Sequence, residues 1–331
     1  MGMEQFSDLE SMAAFLDSNE DFRVLKRVTL PYETHPQINA RREQKGNLFG
    51  IYLDTETTGL DWTDDKITSL SMLPFVYNKN RFVSFAPPIT LWNDPGRPIS
   101  PEITELTGIT NEMVAGKSLP VMKLRETLGN ATLVIAHHAE FDRKFVESAL
   151  TLPHEDHAFG SHIKWACSLQ DVPWDEIKPM SKKLEAIALS LGGFYDAHRS
   201  ENDCIAGCFV LNHTMPNGRT GFEHVIEAIN MPRYRIENKS LPFAVKDMFK
   251  EAGYSWRNED KVWWKEFTSL DELKQEKNRL VSGYSRPIER LQGLVSINLV
   301  NANDRWSTRK GQILNISDVF EDKPVNQPSP F

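Results

Sequence analysis

Residues 50–60, GIYLDTETTGL, place two acids at the end of an apolar stretch of strand length. Asp54 and Glu56 lie at i and i+2, so on a strand both side chains point to the same face. Carboxylates are costly to desolvate, and two neighbours repel each other unless a cation compensates them. The spacing predicts a strand that ends in a cation-binding pair, although a lone Asp-x-Glu is more often two solvated surface acids.

The composition is that of an ordinary globular chain of 331 residues, with 40% hydrophobic and 25% charged residues. No apolar run approaches the roughly 18 residues of a membrane span, and the N-terminus lacks the pattern of a secretory signal. Three cysteines fit a reducing compartment and argue against a full disulfide framework. These features predict a cytoplasmic protein without a membrane partner.

The net charge of −8 is unevenly distributed along the chain. Residues 231–310 contain 16 lysines and arginines against 11 acids, a net charge of +5, and the remainder carries −13. This indicates an acidic part suited to metals and a mildly basic part suited to phosphates, although ordinary surface charge explains the totals equally well.

The pattern of apolar segments predicts an α/β fold. Three successive runs rich in β-branched and aromatic residues suggest antiparallel strands, and later apolar runs alternate with helical patterns. This order implies a mixed sheet flanked by helices. We expect an N-terminal extension (1–47), a main domain (48–218), a small α+β accessory module (231–310) and a disordered Pro-rich tail (311–331).

Three further residues extend the acidic pattern. Asp142 follows Phe141 just after the apolar strand ATLVIAHH, and His198 precedes Asp203 by five residues. Both can serve one site only if His198 lies in a loop and Asp203 inside the helix that follows. As an alternative, Asp203 caps that helix through a capping box with Ser200.

Taken in order, DTETTGL, ISPEITELTGIT, IAHHAEFD and HRSENDC resemble the DEDDh group of 3′–5′ exonucleases, the DnaQ-like family. The resemblance covers residues 48–215 and implies an RNase H-like fold with a five-stranded mixed sheet. It implies that Asp54, Glu56, Asp142 and Asp203 bind metal and that His198 is the general base. The implied cofactors are two Mg²⁺ or Mn²⁺ ions about 4 Å apart, which activate a water and stabilise the leaving 3′ oxygen.

The same resemblance implies a binding site for the terminal nucleotide, formed by Thr57, Thr58, Leu60, Thr107, Gly108 and Ile109. The family's usual asparagine is replaced here by His138, so where that asparagine contacts substrate His138 must supply an alternative donor, and it is a candidate substrate ligand. Zinc binding by adjacent histidines 137 and 138 is rejected, because neighbouring side chains diverge and no further ligand completes a tetrahedral set.

Residues 241–267 hold the densest aromatic cluster in the chain, interleaved with lysines and arginine. Such a cluster either stacks bases and contacts phosphates or forms the core of a small domain, and we expect a mixture of the two.

The predicted function is therefore a metal-dependent 3′–5′ exonuclease that acts on DNA 3′ ends, with replication or repair proteins as partners. An exoribonuclease on the same fold is the alternative within enzymes, since the acidic site treats both polymers alike. A non-catalytic nucleic-acid-binding or polymerase-associated subunit is the alternative outside enzymes, and the five filled catalytic positions argue against it.

Overall fold

The computed structural model describes residues 8–155 and 158–321. The chain divides into two compact units, the first reaching to Ile226 and the second starting at Glu227. The predicted extension and tail fall partly outside the described residues, at positions 1–7 and 322–331.

The first unit contains most of the regular structure. Its helices are α1 (Leu9–Asp17), α2 (His35–Arg42), α3 (Pro101–Thr107), α4 (Asn111–Val114), α5 (Val121–Gly129), α6 (Ala139–Leu150), α7 (Leu184–Ser190) and α8 (Ser200–Asn212), and the division between the units lies within α9 (Gly221–Asn230). Its strands are β1 (Lys26–Arg27), β2 (Asn47–Thr57), β3 (Ile67–Asn78), β4 (Arg81–Phe85), β5 (Ile89–Trp92), β6 (Leu133–Ala136), β7 (Lys164–Cys167) and β8 (Gly193–Phe194).

The main sheet has the order β4-β3-β2-β6-β7, and β5 pairs with β3 beside β4. Strands β2, β4 and β5 each pair antiparallel with β3, whereas β6 pairs parallel with β2 and β7 pairs parallel with β6. Helices α6 and α8 both pack against β2. The predicted mixed sheet flanked by helices, an RNase H-like arrangement, is confirmed.

The predicted number of five strands is wrong by one, because the third predicted strand is divided. Pro87 and Pro88 separate β4 from β5. Proline has no N–H to donate to a neighbouring strand, so the ladder stops there and resumes on β3 at Ile89. The fifth strand of the continuous path, β7, is the short segment KWAC.

Strand β2 is buried over most of its length, and two glycines let its neighbours approach closely. A Cβ at Gly50 would lie 2.3 Å from the Phe75 ring, and one at Gly207 on α8 would lie 2.0 Å from Tyr52. Real Cβ atoms essentially never come this close to another atom. Helix α8 therefore rests directly on β2, which brings its residues beside the end of that strand.

The described part of the N-terminal extension contacts the rest of the first unit at several places, two of which involve regular structure. Strand β1 pairs in parallel with β8, and Ile38 of α2 is buried against Val76 and Ala86. All three cysteines are buried free thiols. Among the described residues, none of the helices has the length and apolarity needed to span a bilayer; the cytoplasmic location stays a prediction.

The second unit is a small α+β structure. Its antiparallel sheet has the order β10-β11-β9-β12-β13. The strands are β9 (Arg233–Lys239), β10 (Ser255–Arg257), β11 (Val262–Phe267), β12 (Val295–Val300) and β13 (Gln312–Leu314), and the helices that follow α9 are α10 (Lys246–Glu251), α11 (Leu270–Lys274), α12 (Lys277–Tyr284) and α13 (Ile316–Phe320).

The prediction of a disordered tail from residue 311 is wrong for residues 311–321. Strand β13 pairs with β12, and α13 follows it. Leu314, Ile316, Val319 and Phe320 are buried in the core of the second unit. Burial of these four apolar side chains stabilises the segment. The prediction was wrong here because it relied on the prolines and polar residues that follow residue 321.

Candidate active site

The two carboxylates at the end of β2 lie on one face of the strand, as their spacing predicted. Oxygen atoms of Asp54, Glu56 and Asp203 all lie within 4.8 Å of one another. Asp54 and Glu56 are close in sequence, whereas Asp203 lies on α8, which packs against β2. Within residues 8–155 and 158–321, this is the one group of three such side chains that meets the geometry of a metal site.

Asp203 lies inside α8, and His198 lies in the loop before it, as the chemistry required. His198 has a φ of +58°, a left-handed conformation that is uncommon outside glycine. Asp203 accepts hydrogen bonds from the Tyr195 hydroxyl at 2.9 Å and from the backbone N–H of Arg199 at 3.0 Å. Both of its carboxylate oxygens are thus held in place by the loop.

The alternative of a capping box between Ser200 and Asp203 is wrong. Arg199 is the N-cap residue of α8, and Ser200 is the first residue inside the helix. The Ser200 hydroxyl is buried and bonds with the hydroxyls of Ser69 at 2.8 Å and Ser71 at 2.7 Å on β3. Asp203 does satisfy the N–H of the N-cap residue, so it stabilises the helix start while its carboxylate faces the acids of β2.

Asp142, the fourth predicted acid, lies on α6 and is only 3% exposed. Its Oδ1 accepts from the backbone N–H of Thr55 at 3.0 Å and from the Thr55 hydroxyl at 2.8 Å. It is not part of the three-carboxylate group, but it borders the same space, and its charge acts on Asp54 and Glu56.

These residues surround a cavity of about 420 Å³. Its described lining includes all four predicted acids and His198, together with Leu60, His137, His138, Phe141, Lys183, Glu185 and Tyr195. The five residues that the resemblance identified as catalytic are therefore brought into one cavity, although they come from β2, α6, the loop before α8 and α8 itself.

Burial and mutual repulsion raise the pKa of every acid in the group. Burial, with the charges of Asp203 and Asp142, raises the pKa of Glu56 to about 8. Burial likewise raises the pKa of Asp142 to about 7, against the hydrogen bonds from Thr55. The pKa of Asp54 lies well above its ordinary value through burial and three neighbouring carboxylates, and that of Asp203 is also raised, chiefly by burial.

This donor set fits a hard divalent cation. Carboxylate oxygens are the ligands that Mg²⁺ and Mn²⁺ prefer, and one or two per ion suffice because Mg²⁺ keeps several waters. Each acid has a strongly unfavourable environment for its charged form when no cation is near. A bound divalent ion would supply the missing positive charge, so the residues present fit the predicted cofactor.

A second cavity, of about 480 Å³, shares Glu56 and His198 with the first. Thr107 and Ile109 line it, together with Arg199. The Arg199 guanidinium donates to the carbonyl oxygens of Thr107 and His198. Gly108 has a φ of +66°, and a Cβ there would meet the same guanidinium at 2.2 Å. Three residues predicted to contact the nucleotide thus lie beside the loop that carries His198 and Arg199.

The other predicted substrate residues are placed differently. Leu60 is 86% exposed at the rim of the first cavity. The Thr57 hydroxyl donates to the Gly59 carbonyl at 2.5 Å, and the Thr58 hydroxyl donates to Asp65 at 2.9 Å and accepts from Arg97 at 2.9 Å. Neither threonine lines either of the two cavities, and their contact with substrate stays a prediction.

The adjacent histidines behave as two different residues. His138 is exposed and lines the first cavity. Burial lowers the pKa of His137 to about 4, so its ring is neutral at pH 7. Its Nε2 donates to the Lys182 carbonyl at 2.9 Å, and its Nδ1 accepts from the Ser168 hydroxyl at 3.0 Å. With both ring nitrogens engaged, His137 is unsuited to bind a metal, in agreement with the rejection of a zinc site.

Three site residues were not found from the sequence. Thr55 holds Asp142, Tyr195 holds Asp203, and Lys183 lines the acidic cavity. Tyr195 lies close to His198 in the chain, which was the only sequence signal available for it. No local sequence pattern indicated that Lys183 lies at the site, because its position depends on how the segment before α7 packs in the folded structure.

Part of this chain is similar in sequence to known proteins. Residues 51–210 match a family model described as Exonuclease. The chain is 36% identical over 103 residues to the PolC-type DNA polymerase III of Halalkalibacterium halodurans. This aligned segment covers 30% of this chain and 7% of that polymerase. It is 25% identical over 173 residues to the DNA polymerase III subunit epsilon of Treponema pallidum, covering 50% of this chain and 78% of the subunit.

A search of solved structures found two similar chains, among others. One is exonuclease X in complex with 5′ overhanging duplex DNA, at 21% identity and a TM-score of 0.34, covering 48% of this chain and 88% of that one. The other is a zinc-bound complex of E. coli ExoI with single-stranded DNA, at 11% identity and a TM-score of 0.44, covering 67% and 63%. Residues 51–210, a little under half of the chain, thus match the exonuclease family model, and the four motifs within them resemble those of the DnaQ-like exonucleases.

Proposed function

We propose that the protein is a metal-dependent 3′–5′ exonuclease that hydrolyses phosphodiester bonds at DNA 3′ ends. The observation that carries this proposal is the convergence of Asp54, Glu56 and Asp203 within 4.8 Å, in one cavity with His198. The relatives named as DNA polymerase III components support DNA as the substrate and an association with replication or repair proteins.

Asp54, Glu56 and Asp203 would hold the cofactor, which we propose to be two Mg²⁺ or Mn²⁺ ions, with Asp142 as the fourth acid. Bound divalent ions supply charge stabilisation to the attacking and leaving oxygens of an in-line displacement on phosphorus. Thr55 and Tyr195 orient the carboxylates of Asp142 and Asp203 before any ion or substrate arrives. This preorganisation reduces the rearrangement that the reaction requires.

His198 is the proposed general base, which takes the proton from the attacking water. Histidine suits this role because its charge changes near neutral pH. The His198 side chain is exposed and lines both cavities. The backbone N–H of the next residue, Arg199, donates to Asp203. Its left-handed backbone is a strained conformation of the kind that concentrates at functional sites.

The 3′ terminal nucleotide would occupy the space between the two cavities, where Glu56 and His198 are shared. Leu60, Thr107, Gly108, Ile109 and His138 are the proposed contacts, and Thr57 and Thr58 are placed to shape the turn before Leu60. We propose that His138 supplies the hydrogen bond that asparagine offers in the family.

The test is an end-labelled nuclease assay with matched substrates. Single-stranded DNA, duplex DNA and RNA of one sequence, each with a 5′ label, are incubated with Mg²⁺ or Mn²⁺. The variants Asp54→Asn and His198→Ala are assayed beside the wild type. Stepwise shortening from the 3′ end that both variants abolish supports the proposal. Faster digestion of RNA would favour the exoribonuclease, and no digestion of any substrate would leave only a non-catalytic role.

We propose that residues 231–310 form an accessory module that contacts nucleic acid. Trp256 is 48% exposed and pairs with Trp263 at 5.6 Å between ring centroids. Phe243 is 79% exposed, with the Lys246 ammonium 3.8 Å from its ring. Most other aromatics of this region belong to the core. In a gel-shift assay, Trp256→Ala and Phe243→Ala should weaken binding of long DNA; unchanged binding in both would contradict this role.

A further inference from the structure

We propose that Lys183 binds a backbone phosphate of the DNA strand at the rim of the acidic cavity. This inference rests on the proposed function, since it assigns the residue that holds the strand behind its 3′ end. Neither the four motifs nor the family match assigns a role to this residue.

The charge of the cavity makes Lys183 unusual. Among the described residues that line it, five are carboxylates and Lys183 is the one lysine, with no arginine. The acids would hold a divalent cofactor that would offset their charge, but a phosphate further along the strand would need its own counter-charge. Lysine is a flexible point charge suited to that task, because its ammonium can follow a phosphate without bidentate geometry.

Lys183 has no structural role that explains its presence. Its side chain is exposed, and no hydrogen bond or ion pair within residues 8–155 and 158–321 reaches its ammonium group. It is the N-cap residue of α7 and makes no side-chain capping bond. Lysine is among the residues least suited to that position, where Ser, Thr, Asp and Asn are preferred and positive charge is unfavourable.

The backbone beside Lys183 is anchored to the floor of the site. The neutral His137 ring donates to the carbonyl oxygen of Lys182, and its other nitrogen is fixed by Ser168. His137 follows β6 directly and precedes His138, which lines the same cavity. The backbone next to Lys183 is therefore held in place, whereas the Lys183 side chain makes no hydrogen bond or ion pair within the described residues.

Lys182 provides a matched control. It is the neighbouring lysine, but its ammonium forms an ion pair with Asp175 at 2.7 Å, and it does not line the cavity. Removal of either side chain changes the net charge of the protein equally. A general electrostatic effect predicts the same loss of binding for both, whereas a phosphate contact at position 183 predicts a loss for Lys183 alone.

The experiment measures binding without cleavage. In the full-length chain carrying Asp54→Asn, fluorescence anisotropy with 5′-labelled dT₁₂ or dA₁₂ and Mg²⁺ gives Kd at several salt concentrations. We expect Lys183→Met to raise Kd about threefold to tenfold and to lower the slope of log K against log salt by about 0.7. The loss should be equal for dT₁₂ and dA₁₂ because phosphates carry no sequence information. Lys183→Arg should restore most of the binding.

An equal effect of Lys182→Met and Lys183→Met, an unchanged salt slope, or absence of DNA binding would overturn the proposal. Thermal denaturation of each variant separates loss of binding from loss of folding. In wild-type background, Lys183→Met should raise KM with kcat within about twofold. Failure of the wild type to cleave would refute the nuclease function, whereas a Lys183-specific loss of binding would still establish the phosphate contact.

Discussion

Thr55 lies between the two acids of β2, and both its N–H and its hydroxyl donate to Oδ1 of Asp142, at 3.0 Å and 2.8 Å. The residue that separates Asp54 from Glu56 therefore also fixes the acid that arrives on α6. Because side chains alternate along a strand, Thr55 points away from its two acidic neighbours, towards α6. A single strand end thus positions three carboxylates.

Replacement of Thr55 by valine should impair the site with little change of shape. Valine keeps the volume and removes the hydroxyl hydrogen bond to Asp142, while the bond from the backbone N–H remains. The loss of one such hydrogen bond costs about 0.5–1.5 kcal/mol. We expect kcat to fall by about tenfold, and chemical denaturation to show lower stability. Thr55→Ser, which keeps the hydroxyl, is the control; equal losses in both variants would show that packing of the methyl group matters instead.

Replacement of Tyr195 by phenylalanine should weaken metal binding. Partners that hydrogen-bond to a metal ligand typically change metal affinity by about 10- to 100-fold when they are removed. The Tyr195 hydroxyl donates to Asp203 at 2.9 Å, so its loss frees one oxygen of a proposed ligand. Calorimetric titration with Mn²⁺ should show weaker binding, and the Mg²⁺ dependence of activity should move to higher concentration. An unchanged Mn²⁺ affinity would contradict the proposed role of Asp203.

Removal of divalent ions should make stability depend on pH. In the folded protein the pKa of Glu56 is about 8 and that of Asp142 about 7, above the ordinary carboxyl values near 4. The folded state then binds more protons than the unfolded state between about pH 4 and 8, so stability falls as pH rises through this range. In EDTA, the melting temperature should decrease from pH 5.5 to pH 8.

Saturating Mg²⁺ should reverse this trend, because ion binding favours the ionised carboxylates and stabilises the folded state. Asp54→Asn is the control, since it removes one of the mutually repelling charges and should flatten the pH dependence in EDTA. Differential scanning calorimetry with and without Mg²⁺ measures both effects. A melting temperature in EDTA that stays constant or rises over this range would show that the acids do not repel as the structure implies.

Replacement of Gly207 by alanine should displace α8 from the sheet. The new Cβ would lie 2.0 Å from the Tyr52 ring, which is itself fully buried and bonded to Ser168 at 2.9 Å. Overpacking of this kind costs about 1–3 kcal/mol, and it moves the helix that carries Asp203. We expect a lower melting temperature together with reduced activity.

The matched control is Gly129→Ala at the end of α5. A Cβ there would meet only the His162 ring nitrogen at 3.9 Å, an ordinary contact. Alanine is favoured over glycine in a helix by up to about 1 kcal/mol, so this variant should be as stable as the wild type or more so. Similar destabilisation by both replacements would mean that the loss at position 207 does not come from Tyr52.

The sequence alone determined the features that depend on local spacing. The i and i+2 acids of β2, the placement of His198 outside and Asp203 inside a helix, and the mixed order of strands and helices all follow from short-range patterns. The periods of strands and helices fix which neighbouring side chains share a face, so these features needed no knowledge of the fold. The division of the third predicted strand and the ordered segment 311–321 were not predicted, because they depend on pairing with β3 and β12 and on burial in the core of the second unit.

Only the tertiary structure decided which residues far apart in the chain meet. The bonds of Thr55 to Asp142 and of His137 to the Lys182 carbonyl, and the arrival of Lys183 at the acidic cavity, join segments separated by about 45 to 130 residues. Such contacts depend on strand register and on how closely glycine lets α8 approach β2. No local period encodes them, since they arise from burial of the whole sheet between its helices.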